Sequence, residues 1–236
     1  PLHVSNGIRD GIFYTPPSDD EWDYFPTLNN NETINKLGEV VKDLQSKGLG
    51  YQDIQVFSPV NNDELGVSQL NEIVKKLFFP LGTLDFEVGD KIMQRENNYE
   101  LGVFNGDIGI VKEVYAQGKR TLSDDPVLLA DMSGRIVEFT KKDLYHLSLA
   151  YAITGHKSQG SEYPHVIIII PDHHFSLMDR YWLYTLVTRC QVKVHLIGND
   201  KVIKKTVKNK KSHLRRTLLL DKVRKFSPVV NLVYDD

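Results

Sequence analysis

The sequence predicts an α/β fold that is interrupted by a small all-β segment. Helical spacing over residues 31–47 and 67–78 flanks a short apolar run at residues 53–59, so strand and helix patterns alternate early in the chain. Short β-like runs separated by Gly and Asn turn signals then fill residues 86–146. The α/β pattern resumes at residues 165–171, whose apolar side chains would cover both faces of a central parallel strand.

The remaining elements follow from local patterns. Residues 8–14 are predicted to form a strand, and the Pro-Pro and acidic run after them a loop. Residues 147–154 alternate in polarity as one strand does. Residues 176–190 are predicted to be a helix that opens with the capping pattern of Ser176 and Asp179, and residues 192–198 a further strand.

Composition restricts the class of protein. The chain has 236 residues, of which 41% are hydrophobic and 25% charged, and this suits one large domain or two modest ones. No apolar run reaches the ~20 residues that span a bilayer, so no membrane segment is expected. The single cysteine, Cys190, fits a reducing, cytoplasmic compartment, and Cys and His lack the spacing of zinc ligands. Because the sequence begins at Pro1 and not at Met, we expect a processed product or part of a longer protein.

Charge is distributed unevenly along the chain. The net charge is only −2, but residues 201–225 are rich in Lys and Arg and contain few acids. A basic segment of this kind indicates contact with a polyanion, and a solvated helix surface explains the same pattern.

A polar segment follows the strand predicted at residues 147–154. Residues 154–162 supply three hydroxyls, a lysine, a histidine, an amide and a carboxylate, and Gly155 and Gly160 permit tight turns. In parallel α/β sheets, ligands bind beyond the carboxyl ends of the strands. This set of side chains suits phosphate oxygens and a sugar, and it lacks the paired base that a nucleophilic Ser or Cys needs.

Several stretches resemble known helicase motifs. Residues 150–171, "AYAITGHKSQGSEYPHVIIIIP", resemble motif V of superfamily 1 helicases, and residues 181–190, "YWLYTLVTRC", resemble motif VI. Residues 53–74 are similar to the segment that carries motif IV, and residues 86–111 to the start of an SH3-like insertion. With residues 134–152 and the basic tail, these stretches occur in the order found in RecD/TraA-type DNA helicases, which are related to the exodeoxyribonuclease V alpha subunit.

This resemblance implies a domain organisation. The fold would be an α/β, RecA-like (P-loop NTPase-type) helicase domain 2 with an inserted SH3-like small β-barrel. Residues 1–85 would form the first part of the RecA-like domain, 86–146 the barrel, 147–210 the second part with motifs V and VI, and 211–236 a basic C-terminal tail. The sequence has no Walker A loop and no Walker B pair, so we expect no ATPase or unwinding activity from this chain alone.

The resemblance also implies an ATP site, with Mg²⁺, shared with an N-terminal helicase domain. Arg189 matches the motif VI arginine finger, the catalytic residue. Gln159, Gly160 and Glu162 match the nucleotide-facing part of motif V, with Gln159 suited to sensing the γ-phosphate and Glu162 to the ribose. Structural alternatives are open: Arg189 would complement the carboxyl end of a helix, and Glu162 the amino end of another.

Single-stranded DNA and duplex junctions are the implied polymer partners. Residues on the other face of motif V, with an amide and an aromatic ring of the insertion, are the predicted nucleic-acid contacts: Thr154, His156, Lys157, Ser158, Asn98 and Tyr99. A packed histidine is the alternative for His156, and a hairpin turn is favoured for residues 105–107.

The motif IV segment departs from the pattern of the family at one place. Relatives carry a basic residue after the proline of motif IV, where this chain has Asn61 and Asn62, and this puts a phosphate contact there in doubt.

The leading hypothesis is an ATP-dependent DNA helicase that translocates 5′ to 3′. A non-catalytic DNA-binding module whose SH3-like barrel docks a protein partner, and the alpha subunit of an exodeoxyribonuclease V complex, are the alternatives.

Overall fold

A computed structural model describes residues 2–13, 21–83, 85–115, 125–158 and 160–210. Within these ranges the helices are α1 (Leu2–Asp10), α2 (Asn30–Ser46), α3 (Val67–Phe78), α4 (Arg180–Val187) and α5 (Asp200–Lys208). The strands are β1 (Trp22–Pro26), β2 (Ile54–Phe57), β3 (Lys91–Gln94), β4 (Ile108–Val114), β5 (Pro126–Met132), β6 (Arg135–Thr140), β7 (Leu147–Leu149), β8 (Ala152–Ile153), β9 (Tyr163–Ile170) and β10 (Cys190–Gly198). Gln159 and the basic tail, residues 211–236, lie outside the described residues.

A parallel sheet forms the first layer of the fold. Its strand order is β1-β10-β9-β2-β8, and all of its described pairings are parallel. Along β9, Val166 and Ile168 face a core shared with α1, α4 and α5, whereas Ile167 and Ile169 face a core shared with α2 and α3. The continuous apolar run that predicted a central strand is therefore buried on both faces, since helices cover each side.

The inserted segment forms an antiparallel sheet of its own. Its strand order is β6-β5-β4-β3-β7, and a 3-10 helix, Asp143–His146, connects the two edge strands. Alternate residues such as Ile92, Val111, Leu128 and Phe139 make a third core that is separate from the two cores of the parallel sheet. The predicted fold class, α/β with a small inserted β domain, is confirmed.

A buried ion pair fastens the inserted sheet to the parallel one. Lys75 of α3 is 1% exposed, and its Nζ donates to Asp90 Oδ2 (2.7 Å) just before β3. Tyr151, between β7 and β8, donates its hydroxyl to Asp90 Oδ1 (2.7 Å). The entry and the return of the insertion are thus held to one helix, and because the pair is buried, removing one partner would leave an uncompensated charge.

A second polar cluster lies on the parallel sheet beside α2. His165 Nδ1 and His195 Nε2 are 3.3 Å apart, and His195 Nδ1 lies 2.9 Å from Asp23 Oδ2. Burial lowers the pKa of both imidazoles, and that of His195 falls to about 4. Both rings are therefore neutral at pH 7 and join β1, β10 and β9 across the sheet.

The amino-terminal prediction was wrong. Residues predicted as a strand belong in part to helix α1, whose Ile8 is fully buried among the apolar residues of the α4 face. Gly11 ends this helix at φ 81°, and a Cβ there would lie 2.2 Å from the Arg180 guanidinium. The edge strand instead begins at Trp22, in a stretch predicted to be loop, because parallel pairing with β10 recruits it. Local pattern cannot supply that pairing.

Two further boundaries differ from the sequence prediction. Asp179 alone caps α4, accepting from Trp182 N (2.8 Å), while Ser176 lies in a separate 3-10 turn, Phe175–Leu177. The alternating run at residues 147–154 is divided, so that β7 completes the antiparallel sheet and β8 joins the parallel one. Periodicity is the same in both sheets and therefore does not reveal the change of partner.

Candidate functional site

The motif V segment runs from the carboxyl ends of the parallel strands, here called the carboxyl edge of the sheet, to their amino ends, the amino edge. Ile153 pairs with Phe57, which pairs with Ile168, so the segment begins at the level of Ile168 and ends at Tyr163. Five residues of strand separate these levels, a rise of roughly 16 Å. The sequence interpretation placed the whole segment at the carboxyl edge. The structure instead puts Thr154 at that edge, and Gly160, Glu162 and the start of β9 at the amino edge.

Close packing against α4 fixes the path of this segment. Residues Gly155–Ser158 form a 3-10 helix. A Cβ on Gly155 would lie 3.0 Å from Leu186 Cδ2 and 3.1 Å from Trp182 Nε1, so any larger residue would require one of these side chains to shift by a few tenths of an ångström. The helix that carries motif VI therefore supports the loop of motif V directly.

A cleft opens at the carboxyl edge, between α3 and the strands β3 and β7. Its volume is about 660 Å³, and its lining includes the amides of Asn61, Asn62 and Asn71. Two cations, Arg95 and Lys157, also line it, with one carboxylate, Glu72. Burial lowers the pKa of Lys157, and the neighbouring charge of Arg95 adds to this effect. The cleft thus combines positive charge with amide donors and acceptors, which suits a phosphodiester backbone.

The predicted nucleic-acid residues of motif V divide between this cleft and other surroundings. Thr154 and Lys157 line the cleft, and Lys157 Nζ also donates to Asn105 Oδ1. His156 is exposed on the adjacent turn. Ser158 is fully buried and donates its hydroxyl to Gly155 O (2.8 Å), so it presents no hydroxyl to a strand of DNA in this structure.

Asn98 and Tyr99 lie on the loop between β3 and β4. Asn98 is occupied by the loop itself, since its Oδ1 accepts from Leu101 N (3.1 Å) and its Nδ2 donates to Asp143 Oδ1 (3.2 Å). Tyr99 is 78% exposed, and its ring packs edge-on against Phe104. Tyr99 is therefore accessible to a ligand, whereas the Asn98 amide stabilises the loop.

Arg189 lies at the amino edge, between α4 and β10. Its carbonyl accepts from Tyr163 N (2.9 Å), which fixes its backbone against the start of β9. Its Nε is buried and has no hydrogen-bond partner among the described residues. Arg189 follows the carboxyl end of α4 by two residues, so its charge also complements that end of the helix, as the structural alternative considered from sequence predicts. A buried nitrogen of this kind without a hydrogen-bond partner is uncommon in folded proteins.

The other nucleotide-site candidates share this edge. Gly160 has φ 88°, a conformation that favours glycine, and Glu162 accepts from Gln191 Nε2 (3.2 Å). The structure thus brings Gly160, Glu162 and Arg189 to one end of the sheet. Gln159 cannot be placed with them, because it is outside the described residues.

Arg180, the first residue of α4, provides a contrast with Arg189, which follows the helix. Its Nε donates to Val207 O (3.0 Å), and its other nitrogens lie 3.5 Å from the carbonyls of Arg9 and Lys208. Arg180 is 6% exposed and joins α1, α4 and α5. It is a structural arginine, whereas the Nε of Arg189 has no hydrogen-bond partner among the described residues.

The sequence interpretation missed a lysine behind this edge. Lys91 of β3 is buried, with Nζ 5.1 Å from the centroid of the Tyr163 ring and 3.3 Å from Ile54 O. Burial lowers the pKa of Lys91 to about 7. Burial also raises the pKa of the Tyr163 hydroxyl, and Ser161 and the Arg189 charge offset part of that rise. A charged residue within a β-like run was the only signal in the sequence.

A histidine occupies the neighbourhood of motif IV, where the expected basic residue is missing. His174 Nε2 lies 2.8 Å from Asp63 Oδ2 and lowers the pKa of that carboxyl. His174 follows β9 and has φ 66°, an uncommon conformation for a residue with a side chain. The basic group beside the motif IV loop therefore comes from a distant loop, which the spacing around residues 61–64 could not reveal.

The described ranges contain neither a metal-binding cluster nor a membrane-spanning helix. Within them, no group of three or more His, Cys, Asp or Glu side chains is arranged to hold a metal ion. In the same ranges, no helix combines the length and the apolar composition that crossing a bilayer requires.

Comparison with known proteins bears on both sheets. The family model of the UvrD-like helicase C-terminal domain matches residues 149–197, which cover motif V, α4 and most of β10. That of the ATP-dependent RecD-like DNA helicase SH3 domain matches residues 69–123, which begin in α3 and include β3 and β4. Both segments are therefore similar to the C-terminal region of RecD-like helicases.

Curated relatives agree with this assignment. The RecD-like region is 30% identical over 195 residues to the ATP-dependent RecD2 DNA helicase of Deinococcus radiodurans, covering 80% of this chain and 25% of that protein. It is 28% identical over 164 residues to the RecBCD enzyme subunit RecD of Haemophilus influenzae, covering 67% of this chain and 23% of that subunit. The region spans about a quarter of the length of these relatives.

Solved structures of Pif1 helicases also resemble the RecD-like region. A structure titled for DNA unwinding at forked duplexes by two Pif1 helicases has a TM-score of 0.48 at 18% identity, covering 96% of this chain and 51% of that one. Pif1 from Bacteroides in complex with ADP-AlF3 and single-stranded DNA has a TM-score of 0.45 at 18% identity, covering 96% and 54%.

Proposed function

We propose that this RecD-like region is one half of the motor of an ATP-dependent DNA helicase that moves 5′ to 3′ along DNA. Its amino edge would complete an ATP site held mainly by an N-terminal RecA-like domain, and its cleft would hold the DNA strand. The Deinococcus radiodurans relative is named an ATP-dependent DNA helicase, which supports this proposal. The observation that carries it is the position of Arg189, whose Nε has no hydrogen-bond partner among the described residues, at the end of the sheet opposite the cationic cleft.

The amino edge fits a triphosphate. ATP with Mg²⁺ would supply the free energy of hydrolysis. Arg189 would extend its guanidinium across the domain interface and stabilise negative charge on the γ-phosphate, an effect worth ~10³–10⁵ in rate in other phosphoryl-transfer enzymes. Glu162 would accept a hydrogen bond from the ribose, and Gly160 would let the backbone approach the nucleotide. Gln159, which the resemblance to motif V assigns to the same site, would sense the γ-phosphate.

Coupling would follow from the path of the motif V segment. One short segment runs from the cleft, at Thr154 and Lys157, to the ATP edge, at Gly160 and Glu162, over roughly 16 Å of strand. Its 3-10 helix packs on α4, which leads directly to Arg189. A shift of this segment when nucleotide binds would therefore change the positions of Thr154 and Lys157 in the DNA cleft.

The test is DNA-stimulated ATP hydrolysis in the full-length protein that contains this region. We expect Arg189→Ala to lower turnover by about 10³-fold or more while ATP binding changes by only a few-fold. Arg9→Ala, which alters an exposed arginine paired with Asp10, is the matched control and should retain activity. Equal turnover in Arg189→Ala and the unaltered protein would remove Arg189 from the mechanism.

The same assay separates the alternatives. A non-catalytic DNA-binding or docking module would bind DNA but show no DNA-stimulated hydrolysis in the full-length protein. The alpha subunit of a nuclease complex would copurify with its partner subunits, as the name of the Haemophilus influenzae relative suggests. Unwinding by the isolated full-length protein would favour the helicase that acts alone.

A further inference from the structure

An exposed aromatic pair lies on the loop between β3 and β4. Tyr99 is 78% exposed and Phe104 45% exposed, and their ring centroids are 6.0 Å apart at an interplanar angle of 77°. Neither ring belongs to any of the three cores of the described residues. Their exposure therefore costs hydrophobic free energy without stabilising the fold, and two adjacent exposed rings are a feature of binding surfaces.

The loop that presents the rings is rigidly built. Asn98 and Val103 exchange both backbone hydrogen bonds (2.8 and 3.0 Å). Phe104 N donates to Asp107 Oδ2 (2.8 Å), and Asn105 N donates to Asn97 Oδ1 (2.9 Å). Because the backbone on both sides of the rings is fixed, a ligand that stacks on them loses little free energy in ordering the loop.

The aromatic loop is joined to the cationic cleft. Asn105, next to Phe104, accepts a hydrogen bond from Lys157 Nζ. Lys157 lines the cleft with Arg95, which begins the aromatic loop, and the two positive charges are close enough to lower the pKa of Lys157. Rings and cations therefore form one continuous surface across the two sheets.

We propose that Tyr99 and Phe104 are a base-stacking site for single-stranded nucleic acid whose phosphates lie along Arg95 and Lys157. This inference rests on the proposed function and adds to it the part of the ligand that the barrel recognises. An edge-to-face pair leaves a ring face of each residue open, and every base has a π face, so the site binds without reading sequence. The single carboxylate of the cleft, Glu72, leaves its balance positive.

The test is a comparison of two oligonucleotides with the 236-residue chain, measured by fluorescence anisotropy. One is labelled oligothymidylate, and the other is an abasic oligonucleotide of the same length and charge. We expect Tyr99→Ala with Phe104→Ala to weaken binding of the base-bearing strand about tenfold or more and to leave binding of the abasic strand unchanged. Tyr99→Phe, which keeps the ring, should bind both strands as the unaltered chain does.

The cations give the contrasting result. Arg95→Ala and Lys157→Ala should each weaken binding of both strands and lower the slope of log affinity against log salt by about 1. The aromatic variants should leave that slope unchanged. Circular dichroism would verify that each variant is folded, since all four side chains lie outside the cores.

The outcomes separate this inference from the proposed function. If the aromatic variants bind oligothymidylate as tightly as the unaltered chain while the cation variants lose affinity, the stacking site is refuted and the DNA cleft stands. If the aromatic variants lose affinity for both strands equally, the rings support the loop and do not stack on bases, which also refutes the inference. If the unaltered chain binds neither strand, the DNA-binding part of the proposed function fails with it.

Discussion

Replacing Lys91 by methionine should change how the stability of this protein depends on pH. The Lys91 amine is buried beneath the Tyr163 ring and donates to Ile54 O at 3.3 Å. Burial lowers its pKa from 10.5 to about 7, and the charge of Asp53 opposes only part of that effect. A buried amine prefers its neutral form because the charged form loses its hydration.

The sign and magnitude follow from proton linkage. Between about pH 7 and about pH 10.5 the unfolded chain holds a proton on Lys91 that the folded chain has released. The free energy of unfolding therefore rises with pH in this window, by up to about 1.4 kcal/mol per pH unit. From about pH 7.5 to about pH 9.5 the contribution of Lys91 amounts to about 2 kcal/mol, and Lys91→Met abolishes it.

Urea unfolding at several pH values in this window measures the effect. The informative quantity is the difference in unfolding free energy between the unaltered chain and Lys91→Met, because other titrating groups cancel in it. This difference should shift in favour of the unaltered chain as pH rises. Lys76→Met, at an exposed position on α3, is the matched control because it removes a lysine from the surface. A constant difference for Lys91→Met would refute the claim that the folded chain holds this amine neutral.

Two further predictions concern stability. Arg180→Ala should lower the free energy of unfolding by about 2–4 kcal/mol, because it leaves buried carbonyls unpaired. Arg189→Ala should change the free energy of unfolding by no more than about 0.5 kcal/mol. Equal losses for the two variants in thermal or urea unfolding would contradict their separate roles. Burial lowers the pKa of His195 to about 4, so stability should be full above about pH 6.5 and fall as pH drops toward 4. His195→Gln should flatten this acid limb, and an unchanged limb would show that other groups cause the loss.

Much of the fold could be predicted from the sequence because its strongest signals are local. The period of helix α3 and the doubly apolar run of β9 are set by burial on one or two faces, and the structure places both as predicted. Gly155 and Gly160 were expected to permit close approach or tight turns, and α4 packs on the first while the second has a positive φ.

Only part of the candidate site could be predicted from the sequence. Motif V was interpreted as one ligand-binding loop, because adjacent residues are expected to share an edge of the sheet. The segment instead follows the sheet for roughly 16 Å, since β8 and β9 are in parallel register on either side of β2. The resemblance to motif V implied that Ser158 contacts DNA, but its hydroxyl donates to Gly155 O.

The sequence by itself determined the helicase family, the α/β class and the presence of an inserted β domain, because motif order and hydrophobic period are properties of the chain. Only the tertiary structure decided which side chains have partners. It left the Nε of Arg189 without one among the described residues and gave Arg180 three carbonyls, and it placed a histidine from a distant loop beside motif IV. Pairing of this kind depends on contacts between residues far apart along the chain, which local pattern does not encode.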